Sequence, residues 1–168
     1  MLAAAFLITA LTSTGLAQSV PAGYRTVYIT SAVDSKYVVQ PKSATSGGAV
    51  VVQTLTNKPE QQWYIQAGNT TIQLANTTLC LDAGAKSNWK DMAAINLKTC
   101  SGTEPGQRWV AMTDGRIALG GSSPQECIDL QYMRATANNP VGLYSCAGLG
   151  NIGAADKGIN WPLVNATA

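Results

Sequence analysis

Residues 80–109, CLDAGAKSNWKDMAAINLKTCSGTEPGQRW, carry the pattern that organises the whole chain. The stretch opens with Cys80-Leu81-Asp82, crosses a polar loop, returns through Ala93-Ala94-Ile95 to Cys100 and closes on Gln107-Arg108-Trp109. A second copy follows. It opens with Cys127-Ile128-Asp129, answers Leu97-Lys98-Thr99-Cys100 with Leu143-Tyr144-Ser145-Cys146, and ends on Trp161. Cys80 and Cys127 lie 47 positions apart, as do Asp82 and Asp129, and Cys100 and Cys146 lie 46 apart. Landmarks recurring at one period mark a repeat architecture, in which each unit buries its apolar face against its neighbours. The period also runs backward, since Gln61-Gln62-Trp63 precedes Gln107-Arg108-Trp109 by 46 positions, and Tyr37-Val38-Val39 aligns with the later Cys-x-Asp motifs. Trp161 lies 52 positions beyond Trp109, so the last copy carries extra loop residues, and Asn160 stands in for its glutamine with a side chain one methylene shorter. The count is three units, at about 24–66, 67–113 and 114–163.

Short runs rich in β-branched and aromatic residues at 24–29, 37–39, 49–52, 63–65, 71–74, 109–111 and 116–119 read as strands. Turn signals separate them, among them Ser46-Gly47-Gly48, Asn57-Lys58-Pro59, Ala67-Gly68-Asn69, Asp114-Gly115 and Gly120-Gly121. Many short strands at this spacing predict an all-β sandwich or barrel.

The apolar run Met1–Leu11 is too short to span a bilayer and is followed by Gly15-Leu16-Ala17, which predicts a signal peptide over 1–17 with cleavage before Gln18. No other run reaches membrane length, so the expectation is a secreted, extracellular single domain over 18–168. Charged residues make up 12% of the chain and the net charge is +2, which leaves no electrostatic case for nucleic acid or an anionic membrane. In an oxidising compartment the four cysteines pair by default. Three connectivities are open, and the repeat alignment favours Cys80 with Cys100 and Cys127 with Cys146. A zinc site is disfavoured by the absence of histidine and of any CxxC pair, so neither metal nor cofactor is expected. The missing histidine also excludes Ser-His and Cys-His nucleophiles. Carboxylate pairs such as Asp82 with Asp91 or Asp129 with Asp156 are the formal route to glycoside hydrolysis, but nothing in the sequence fixes their separation, and an enzyme is not expected. Asn69, Asn76 and Asn165 head Asn-x-Thr sequons in polar surroundings and are candidate glycosylation sites.

Three in-phase units, two closing on Gln-x-Trp and the last on Ile159-Asn160-Trp161, and two of them carrying paired cysteines and Cys-x-Asp, resemble the ricin B-type lectin domain from Tyr24 to Leu163. The resemblance implies a β-trefoil with pseudo-threefold symmetry, with Trp63, Trp109 and Trp161 in the shared core. It also implies metal-independent binding of galactose-type or related glycans, in a shallow pocket on each active repeat. An aspartate after the first cysteine takes hydroxyl hydrogen bonds, an aromatic two residues before the second cysteine stacks on the pyranose, and an asparagine beside Gln-x-Trp adds a bond. An ionised carboxylate and a flat apolar ring suit those tasks chemically.

Scored on those terms, the first repeat offers Val39 and Gln53 and fails. The second offers Asp82 and Asn96, with Gln107 to orient the carboxylate, Lys98 at the stacking position, Gly106 at the asparagine position and Trp89 as a substitute ring. The third offers Asp129, Tyr144 and Asn160, with Gly142 opposite Asn96 of the second and Ile159 at the asparagine position, and is the best candidate. An aspartate here also serves simply as a turn cap. The expected partners are glycans or glycoproteins, with self-association as a route to avidity. The competing class is a trefoil that binds protein, such as a protease inhibitor with vestigial sugar pockets.

Overall fold

The structure, a computed structural model, describes residues 19–146 and 156–166, so the expected leader over 1–17 lies outside the described residues. The β-branched runs form strands, and so do the Cys-x-Asp segments, whose flanking residues alternate between core and pocket. The first repeat contains β1 (Arg25–Ile29), β2 (Tyr37–Pro41), β3 (Val50–Thr54) and β4 (Trp63–Ile65). The second contains β5 (Gly68–Thr70), β6 (Gln73–Leu74), β7 (Leu79–Asp82), β8 (Asn96–Thr99) and β9 (Trp109–Ala111). The third contains β10 (Ile117–Leu119), β11 (Glu126–Leu130), β12 (Val141–Ser145) and β13 (Leu163–Asn165). The turn expected at Ala67-Gly68-Asn69 is instead the entry to β5, because Asn69 pairs with Val110 of β9. β5 and β6 act as one broken strand, the first half on β9 and the second on β4 and β7.

Antiparallel pairing runs β13-β1-β4-β6 and β5-β9-β10, and three hairpins, β2–β3, β7–β8 and β11–β12, complete the set. This is the expected β-trefoil. Its symmetry is carried by one repeated contact. The indole N–H of Trp63 donates to the Val39 carbonyl at 3.0 Å, that of Trp109 to Leu81 at 3.1 Å, and that of Trp161 to Ile128 at 2.9 Å. All three rings are buried in one core with Val39, Leu81 and Ile128, so a large apolar area leaves water while each polar N–H keeps a partner.

The repeats are also laced in a cycle. The 40s loop meets the second hairpin (Gly47 N–H to Leu97 O, 2.7 Å), and the 90s loop meets the third (Met92 N–H to Leu143 O, 2.8 Å). The 130s loop returns to the first (Asn138 N–H to Val52 O, 2.9 Å). The bridges are Cys80–Cys100 and Cys127–Cys146, as the repeat alignment favours. Closing a loop of about 20 residues stabilises by roughly 3 kcal/mol in the chain-entropy model.

Candidate functional site

The tryptophan contacts set the register of the three repeats and correct one alignment. Val39, Leu81 and Ile128 are equivalent, so the residue that follows, Gln40, holds the place of Asp82 and Asp129. Val39 is a core residue. Strand alternation explains the slip, since successive side chains face opposite ways and a one-residue shift exchanges the core position for the pocket position. In the paired strands, Gln53, Lys98 and Tyr144 are equivalent, as the sequence suggests, facing Val38, Cys80 and Cys127.

In the first repeat Gln61 donates through Nε2 to Gln40 Oε1 and to the Thr54 carbonyl, both at 2.9 Å. The cleft beside them measures about 230 Å³, is lined by Gln40 and Gln53 among others, and holds neither a carboxylate at the aspartate position nor a ring.

In the second repeat Asp82 is held on both oxygens, by Gly84 N–H on Oδ1 at 2.6 Å and by Gln107 Nε2 on Oδ2 at 2.9 Å. The Lys98 ammonium lies 4.0 Å from the same Oδ2 and 3.3 Å from Glu104. Asn96 and Lys98 line a cavity of about 630 Å³, which Ser46 and Gly47 of the preceding repeat complete. Trp89 is not among the lining residues. Its ring is half-buried against the core, its N–H donates to the Gly84 carbonyl at 3.1 Å, and the Lys86 ammonium stands 5.7 Å from the ring centroid. The substitute platform expected of Trp89 is therefore already engaged in packing.

In the third repeat a cavity of about 570 Å³ is lined by Met92, Asp129, Tyr132, Met133, Tyr144 and Asp156. Asp129 and Tyr144 thus line one cavity. Asn160 does not line this cavity. Counting from Trp161, Ile159 occupies the place of Gln107 and is buried beside the Cys127–Cys146 bridge. Asn160 is one residue further on and donates to the Asp156 carbonyl at 2.7 Å. Amide chemistry misled the alignment here, because the glutamine position has become apolar. Among the described residues nothing donates a hydrogen bond to the Asp129 carboxylate, although the residue is only 6% exposed. Burial, and after it the charges of Asp156 and Asp91, push its pKa from 3.8 to about 6.

Tyr132, Met133 and Met92 have no motif to announce them. They reach the cavity from turns with φ of 61°, 48° and 66°. Tyr132 is 74% exposed, and all three, with Tyr144, belong to the exposed large apolar residues. Met92 belongs to the second repeat and is set there by the 90s loop lacing onto β12. Gly158 provides the close approach on the other side. A Cβ there would fall 2.8 Å from Asp129 Oδ1, 3.0 Å from Met133 Cγ and 3.1 Å from Asp156 Oδ1. Of the sequon asparagines, Asn69, Asn76 and Asn165 are all exposed, and the last two accept side-chain hydrogen bonds from Tyr64 and Arg25.

Comparison with known proteins agrees with this architecture. The Ricin-type beta-trefoil lectin domain model matches residues 69–155, and a Ricin-type beta-trefoil lectin domain-like model matches residues 16–98. Beta-galactoside-specific lectin 4 of Viscum album is 33% identical over 72 residues, covering 43% of this chain and 13% of that protein. The designed threefold-symmetric protein ThreeFoil superposes with a TM-score of 0.68 at 19% identity, over 83% of this chain and 98% of the other. The C-half of the earthworm R-type lectin, solved in complex with GalNAc, superposes with a TM-score of 0.61 at 14% identity, over 84% and 98%. The repeats, the tryptophan core and the match over more than half of the sequence lead to one conclusion: the chain belongs to the ricin-type β-trefoil lectin domain family.

Proposed function

We propose that the chain is a secreted lectin that binds galactose-type glycans without a metal ion, chiefly through its third repeat. One observation carries the reading: Asp129 and Tyr144 line the same cavity, an acceptor for sugar hydroxyls beside a ring for the apolar face of a pyranose. The second repeat is a weaker site, because Lys98 holds the stacking position and its ammonium sits beside Asp82. The galactose preference is supported by the name of the Viscum album relative and by the sugar in the earthworm lectin complex. Two disulfides suit an oxidising compartment and so support secretion. A carboxylate and a ring need no metal to hold a neutral sugar, and recognition without turnover is the activity proposed.

A glycan array with competition by free sugar tests the reading. Binding should survive a chelator, fall at least about tenfold in Asp129→Asn, which removes a charged acceptor, fall in Tyr144→Ala, and be untouched in Gln53→Ala. Silence across the array would transfer the function to protein binding by the loops. Unchanged binding in Asp129→Asn with loss in Asp82→Asn would move the site to the second repeat.

A further inference from the structure

The first two pockets each answer the electrostatic demand at the aspartate position, and the third leaves it unanswered among the described residues. The first repeat uses a neutral amide, Gln40, bonded to Gln61. The second uses a carboxylate, Asp82, supplied internally with an amide donor from Gln107 and an ammonium from Lys98. In the third, Ile159 replaces the amide and Tyr144 replaces the ammonium, at the same positions of the fold. Asp129 is more than nine-tenths buried, lines the cavity, and has no donor among the described residues. A second carboxylate, Asp156, lines the same cavity and spends Oδ1 on the Gly158 N–H at 2.8 Å. Among the described residues, no lysine or arginine forms an ion pair with either acid. Asp91, whose Oδ1 accepts the Ser145 N–H, adds further negative charge nearby.

We propose that the third-repeat pocket selects a hexosamine with a free, protonated amine over the corresponding neutral or N-acetylated sugar, the ammonium being held by Asp129 and Asp156. This rests on the lectin reading and names the class of sugar. An ammonium offers three N–H donors and the one charge that the pocket lacks. Tyr132 and Tyr144 both line the cavity, and an aromatic ring attracts a cation placed over its face. A neutral hydroxyl offers a donor but no charge, and an N-acetyl group removes the charge. Acidic sugars are repelled by the same carboxylates. Among the described residues, the charges that act on Asp129 are those of Asp156 and Asp91, with the phenols of Tyr132 and Tyr144 on the wall, and no ion pair offsets them. The amine preference should therefore be strongest where Asp129 is ionised and the sugar amine still protonated.

The test is calorimetric titration of the full chain at about pH 7, where carboxylates are ionised, with galactosamine, galactose, N-acetylgalactosamine and choline. Galactosamine should bind at least about tenfold tighter than either uncharged sugar, the gain expected of a charge-assisted contact. In Asp156→Asn the margin should shrink to about twofold or less; asparagine keeps the oxygen that takes the Gly158 N–H, so the turn is retained. Tyr144→Lys, an exposed substitution that imitates the second repeat, should abolish the margin by supplying the cation internally. Galactose or N-acetylgalactosamine binding as tightly as galactosamine overturns the amine preference and leaves the lectin reading standing. Choline binding as tightly as galactosamine overturns the sugar part, since the pocket would then read a cation alone. Binding of none of the four overturns both.

Discussion

Gln107 donates its side-chain amide to Asp82 Oδ2 at 2.9 Å, and across the pseudo-threefold axis the same place beside Asp129 is taken by Ile159. Gln107 also donates to the Thr99 carbonyl at 3.0 Å and accepts the Ser101 N–H at 2.8 Å, so one buried amide ties three segments together. Gln107→Leu leaves a buried carboxylate and two backbone groups short of partners. The cost should be about 2–3 kcal/mol in urea denaturation, with sugar binding at the third repeat unchanged, because an unsatisfied buried polar group is expensive. A loss below about 0.5 kcal/mol would mean that water replaces the amide without penalty.

Lys98 and Tyr144 occupy one position of the fold, each beside the aspartate of its own hairpin. Lys98→Tyr should give the second repeat its missing platform. Titration with a galactoside should then show a second site, or a clear gain in affinity at an existing weak one. Stability should stay within about 0.5 kcal/mol, since the side chain is exposed.

Gly158 leaves room for the Asp129 and Asp156 carboxylates. In Gly158→Ala the new methyl meets Asp129 Oδ1 and Met133 Cγ, both movable side-chain atoms. The protein should fold with a loss of about 1 kcal/mol or less while sugar affinity drops several-fold, because Asp129 is pushed from its place. Equal affinity in the variant, read by the same titration, would show that the ligand does not use Asp129 in this position.

The carboxyl of Asp129 is raised by burial and by neighbouring acids from 3.8 to about 6. The sign follows from linkage: the unfolded chain releases this proton near pH 4 and the folded chain only near pH 6, so stability from this group falls as pH rises through that interval and stays lower above it. Asp129→Asn should match the wild type below about pH 4 and exceed it by roughly 1–2 kcal/mol above pH 6, solvent screening reducing the full linkage value, measured by urea denaturation across the range. Asp114 works the other way. The hydrogen bond from Arg116 lowers its pKa, so its contribution is present at neutral pH and lost on strong acidification.

The sequence by itself determined the period and favoured the two bridges, and the family resemblance it carries implied the tryptophan core and a pocket shared by Asp129 and Tyr144. Each of these depends on residue types that few others replace: a large indole with a donor, a cysteine that must find its partner, a carboxylate, a phenol. Short-range spacing within a hairpin carries the bridges, and Asp129 with Tyr144, into three dimensions. Tertiary structure decided the rest. A one-residue register separates Val39 from Gln40, and only the contact of the Trp63 indole with the Val39 carbonyl identifies which of them faces the pocket. Likewise Asn160 has the right chemistry and Ile159 the right place. The third pocket also draws Met92 from another repeat and Tyr132 and Met133 from a turn at positive φ, positions that follow from the cyclic lacing of loops onto hairpins. Local pattern specifies which way a side chain alternates along its own strand, whereas the walls of a pocket between repeats depend on backbone hydrogen bonds that join segments distant in sequence.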